Sequence, residues 1–114
     1  MNNMRLQVKL WRWQRLSAMV LALAVCVHLA VIIWAVHAGL SAQALLGRTQ
    51  GNLAFGLFYT VFVLACAVHV PIGLMKIAEE WLSWRGTRAL VLGLLAGAWI
   101  LLAGLRAVYA VVGT

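Results

Sequence analysis

His69 is the residue of this chain best placed to do chemistry. It lies in Ala67–Trp81, AVHVPIGLMKIAEEW, where an apolar run breaks into Lys76, Glu79 and Glu80. Neighbours on one helical face recur at three and four positions. His69 therefore shares its stripe with Phe62, Ala65, Cys66, Ile72, Gly73, Lys76 and Glu80. Ala65, Cys66 and Gly73 are small, and an imidazole flanked by small residues leaves a flat slot that a porphyrin would fill. The competing reading is a histidine hydrogen-bonded to a neighbouring helix, with small residues serving helix packing. Ionisable groups within apolar spans are costly and tend to be functional. Pro71 cannot donate to the carbonyl of Ala67, which predicts a kink beside His69.

His28 is the second candidate ligand, with Ala24 one turn before it and Ala35 two turns after. The alternative for it is again a bond to another helix. His37, at the end of its apolar run, is expected to meet water or headgroups. Beyond histidine the spans hold little chemistry: no phosphate-binding glycine loop, paired carboxylates, nucleophile with a base, or cysteine cluster. The chain cannot by itself bind a flavin, build an iron–sulfur cluster or hydrolyse a substrate. Cys26 and Cys66 lack the spacing of a metal site or redox pair. What remains is axial imidazole for a haem, and polar groups for a lipid-soluble substrate.

The elements that must position these residues follow from composition. The chain has 114 residues, 66% of them hydrophobic, and a mean hydropathy of +1.01, too apolar for a soluble domain of this size. The fold class expected is an all-α integral membrane protein, a single domain over residues 1–114 with three transmembrane helices at about 16–38, 53–75 and 89–112. Met1 to Gln14 is a basic, aromatic lead that could lie along the membrane surface. The first apolar run is longer than the ~7–15 residues of a signal-peptide core, so it is read as a helix of the mature protein. Residues 39–52 read as a loop or short interfacial turn. Gly93 and Gly97, four apart, permit close approach of another helix.

Nine basic residues against two acidic ones give a net charge of +7. They flank apolar runs instead of forming a surface of their own, so the partner they imply is membrane lipid and not nucleic acid. Arg5, Lys9, Arg12 and Arg15 precede the first span, Lys76, Arg85 and Arg88 lie in the second connection, and Arg48 stands alone in the first. That asymmetry predicts the amino terminus inside and the carboxyl terminus outside. Arg106, inside the third span, is expected to snorkel to the outer surface.

Taken together, these residues resemble the membrane-anchor cytochrome b subunits of succinate dehydrogenase and fumarate reductase. The family's second span ends in a histidine, a glycine four residues later, then an acidic residue followed by an aromatic one; here stand His69, Gly73, Glu80 and Trp81. Its first span opens with Arg, an apolar residue and Ser, matched by Arg15, Leu16 and Ser17. The resemblance spans almost the whole chain, through short motifs.

It implies that His69 ligates haem b and that Arg15, Ser17 and Trp81 bind quinone. It permits a second haem at His28, since a first-span histidine ligates haem in single-anchor, two-haem relatives. It implies an iron–sulfur subunit, a flavoprotein subunit, a second anchor that is identical or related, and a bacterial inner (cytoplasmic) membrane. Gln14 departs from the histidine common before the arginine, Ala18 from a glycine and Trp81 from a tyrosine; indole N–H can donate a hydrogen bond but cannot accept one. Two other functions stay open: a cytochrome b anchor for another dehydrogenase, and a haem-free structural or transport protein.

Overall fold

Long stretches of Ala, Leu and Val, free of turn chemistry, make helices here, and the connections fall where glycine, serine and asparagine collect. The computed structural model describes residues 4–113. Its order is α1 (Met4–Ala38), α2 (Ala42–Thr49), α3 (Leu53–Trp81) and α4 (Thr87–Val112), with no strand among the described residues. α1, α3 and α4 are long and apolar enough to cross a membrane, and the chain is an all-α membrane protein. α3 is the central element, packed against both α1 and α4, while α2 sits against α4.

Two helices run beyond the expected spans. From Met4 the lead is helical and continuous with the first span: α1 runs for 35 residues, about 52 Å at 1.5 Å per residue, well over the ~30 Å of a hydrocarbon core. Its polar turns consist mostly of good helix formers, and Gln7 accepts a hydrogen bond of 2.8 Å from Lys76 Nζ. α3 likewise passes unbroken through Pro71 and ends at Trp81. The second connection is therefore short, with Ser83 at φ +55° and the N–H groups of Leu82 and Trp84 both donating to the Ala78 carbonyl, at 3.1 and 3.0 Å.

The segment expected to be a loop or a short interfacial turn holds the eight-residue α2. Ser41 caps it, its Oγ accepting from the Ala44 N–H at 3.1 Å. Gly39, at φ +122°, turns the chain out of α1, and Arg48 donates to the Gly39 carbonyl at 2.6 Å while lying over the Trp34 ring at 4.8 Å. Asn52 then caps α3, its Oδ1 accepting from Ala54 and Phe55. Thr49 donates to the Val111 carbonyl at 2.6 Å, tying α2 to the end of α4.

Small residues set the α3–α4 seam. Ala89 is fully buried. A Cβ at Gly93 would lie 2.8 Å from Met75, at Gly97 2.9 Å from Pro71, and at Gly104 2.6 Å from Val63. The expected close approach at Gly93 and Gly97 occurs within the chain, against α3. Gly97→Leu should therefore cost about 1–3 kcal/mol through overpacking. Thermal unfolding in detergent should show a lowered midpoint for Gly97→Leu, with little change for Leu102→Ala at an exposed position. Equal midpoints for Gly97→Leu and wild type would contradict this packing.

Candidate functional site

Four polar residues of α1, Gln7, Gln14, Ser17 and His28, face Lys76, Gly73, His69 and Tyr59 of α3. Steps of 7, 3 and 11 residues on α1, and of 3, 4 and 10 on α3, keep one face of a helix turned toward its neighbour. α1 and α3 therefore meet along one seam, joined at these levels.

At the level of His69, the Ser17 hydroxyl is buried and donates to the Gln14 carbonyl at 3.1 Å. Its oxygen lies 3.4 Å from His69 Nδ1. A hydroxyl has one proton. With that proton directed to Gln14, the remaining bond runs from His69 Nδ1–H to Ser17 Oγ, leaving Nε2 with a free lone pair. Ligating histidines are commonly held in this way, by a hydrogen bond from the other ring nitrogen. Among the described residues no hydrogen bond is made by Nε2. The neighbouring Gln14 Oε1 is buried without a partner.

The slot inferred beside His69 needs correction on one side. A Cβ at Gly73 would be 3.3 Å from Gln14 Nε2, so α1 covers that part of the stripe and its amide takes the space allotted to a flat ligand. Cys66 belongs elsewhere, lining a cleft toward α4. The donor chemistry still fits a haem iron at His69, because α1 engages Nδ1 and leaves Nε2 available to a ligand.

His28 stands at the second level. Its Nδ1 is 3.4 Å from Tyr59 Oη, and its ring meets Tyr59 and Phe62 edge-on at 5.6 and 5.8 Å. It opens on a cleft of about 680 Å³ whose lining includes Tyr59, Phe62, Cys66, Trp99 and Thr49, within the ~300–1,000 Å³ typical of ligand and cofactor sites. The cleft is mostly apolar, so its size and its one imidazole also fit a porphyrin. Ser17 and His28 are separated by about 16 Å along α1 at 1.5 Å per residue. Metal–imidazole bonds are only about 2 Å long, so His28 and His69 of one chain do not share a metal.

The three expected quinone residues are not gathered in the single chain. Ser17 lies in the seam beside His69. Arg15 is exposed, its guanidinium 5.3 Å from the centre of the Trp11 ring, because one helical step from Gln14 turns it about 100° off the seam. Trp81 is 81% exposed, and no ring contact or hydrogen bond joins it to Arg15 or Ser17 among the described residues. His37 is exposed, and its Nδ1–H donates to the Ile33 carbonyl at 2.9 Å. Arg106 is exposed on α4.

Gln14 and Tyr59 gain roles that sequence reasoning had not given them. The signal for both was available: each is a polar residue an integral number of seam steps from a histidine or serine. No group of three or more His, Cys, Asp or Glu able to hold a metal ion occurs among the described residues. No protein-family model, curated protein or solved structure matches the chain.

Proposed function

We propose that the chain is a haem b-binding membrane anchor of a succinate:quinone oxidoreductase, of the succinate dehydrogenase or fumarate reductase type, in a bacterial cytoplasmic membrane. One observation carries the reading: the run from His69 Nδ1 through Ser17 Oγ to the Gln14 carbonyl, which presents Nε2 as a ligand. A bound haem supplies reversible one-electron chemistry. The protein's part is to hold the imidazole orientation with α1, surround it with apolar helices and leave the basic end for soluble partners. Those partners are an iron–sulfur subunit and a flavoprotein subunit. A second anchor, identical or related, supplies the histidine opposite His69, as the spacing of His28 and His69 requires for a bis-histidine site.

Quinone is read at the basic end, with the exposed Arg15 and Trp81 as its contacts; Ser17, buried and bonded in the seam, serves His69 instead. Arg15 offers a permanent cation and several donors, and Trp81 an exposed indole. Purifying the tagged chain from its native membranes tests the function. The expected preparation contains flavin and iron–sulfur protein and reduces quinone with succinate. A preparation free of both, with the chain intact, would overturn it.

The basic end is assigned to the inside. Gln43 and Ser83 are both exposed, at opposite ends of the bundle. In a cysteine-free background, a membrane-impermeant thiol reagent added outside should label Gln43→Cys and spare Ser83→Cys. The reverse pattern would invert the topology and remove the basic end from the soluble subunits.

A further inference from the structure

Neither histidine uses a groove at the start of α4. It has a volume of about 430 Å³ and is lined by Trp84, Thr87, Arg88, Val91, Leu92 and Leu95. From Arg88 to Leu95 the lining residues recur at three and four, so the groove runs along the helix for about 10 Å at 1.5 Å per residue. It begins at a cation and continues over apolar side chains. Trp84 forms its wall, and its backbone N–H is bonded to the carbonyl of Ala78, itself 1% exposed. Arg88, and Arg85 three residues before it in the connection, are exposed. Among the described residues neither pairs with an acid, and the ion pair of Glu79 goes to Lys76 at 3.8 Å.

We infer that this groove is a binding site for an anionic glycerophospholipid. The phosphate meets Arg88 and Arg85, one acyl chain lies along Val91, Leu92 and Leu95, and Trp84 packs at the glycerol level. The assignment rests on complementarity at both ends. α4 is apolar enough to cross a membrane, so hydrocarbon is the medium that faces Leu92 and Leu95. A free phosphate would satisfy the cations and leave the trough uncovered. A polar peptide would set unsatisfied backbone groups against hydrocarbon. Indole and guanidinium groups at the end of a span belong at headgroup depth, and an anionic lipid adds charge attraction there. The inference is independent of haem and quinone binding.

Native mass spectrometry of the full chain in mild detergent, given equal phosphatidylglycerol and phosphatidylcholine, tests it. The wild type should retain phosphatidylglycerol in preference, one molecule per chain. Arg88→Gln should weaken retention about fivefold and Arg85→Gln with Arg88→Gln about 25-fold, from the usual worth of a cation near an anionic membrane surface. Leu92→Trp, which fills the trough and leaves both arginines, should also lose the lipid, while circular dichroism shows unchanged helix content. Inorganic phosphate should not displace it. Equal retention of the two lipids, wild-type retention in Arg88→Gln or Leu92→Trp, or displacement by phosphate alone would each overturn the assignment.

Discussion

His69→Ala is expected to remove the low-spin haem signal from the purified protein while the chain still inserts and folds. The side chain is half-buried, and its loss leaves Ser17 with the Gln14 carbonyl as a partner. No polar group is therefore stranded, and the α1–α3 seam loses one interhelical bond of about 0.6–2 kcal/mol. A haem iron held by His69 would lose an axial ligand outright, so the expected haem effect is far larger than the folding effect. Ser17→Ala should act through the ring, weakening haem retention about 10–100-fold, as removal of groups that orient metal ligands does. An unchanged haem spectrum in His69→Ala would remove His69 from the site, whatever else binds.

Arg15→Leu is expected to cut quinone reduction by the assembled complex about a hundredfold, the scale of losing one donor aimed at developing charge. A quinone has two carbonyl acceptors and gains negative charge on reduction, which a fixed cation stabilises. Because Arg15 faces away from the seam and stacks on Trp11, its replacement leaves the His69–Ser17 contact in place. Haem content and dye reduction by the soluble subunits should therefore be unaffected. Trp81→Phe keeps the ring but removes the N–H, and should lower turnover less. Full quinone turnover in both variants, with assembly verified, would place the quinone elsewhere.

The three spans were legible because crossing a membrane demands ~20 apolar residues in a row, and Leu53–Met75 announces itself in that way. The close approach at Gly93 and Gly97 was legible from spacing, although the spacing did not say which helix would come near. The extension of α1 back to Met4 was not legible, since hydropathy reports where hydrocarbon ends and not where hydrogen bonding ends. α2 was hidden by the glycines and serine around it, although Ser41 is an ordinary helix cap.

The importance of His69 could be read from its own helix, whereas its bonding could not, because Ser17 is 52 positions away in sequence and pairing of α1 with α3 is a long-range property. The slot was misjudged for the same reason: small residues mark where something approaches, and at Gly73 the approaching group is Gln14. Arg15 and Ser17 are near neighbours in sequence, yet a two-residue step turns side chains about 200° apart on a helix. Only one of them can face the seam.

The central claim is that this chain carries haem b on His69, and the reduced-minus-oxidised absorption spectrum of the purified chain with its native partners tests it most directly. The account predicts the paired reduced bands of a low-spin, bis-histidine b-type haem, with the haem bound at His69 shared between two anchor chains. A preparation that is folded, fully assembled and devoid of haem, or one holding a single haem between its own His28 and His69, would contradict it.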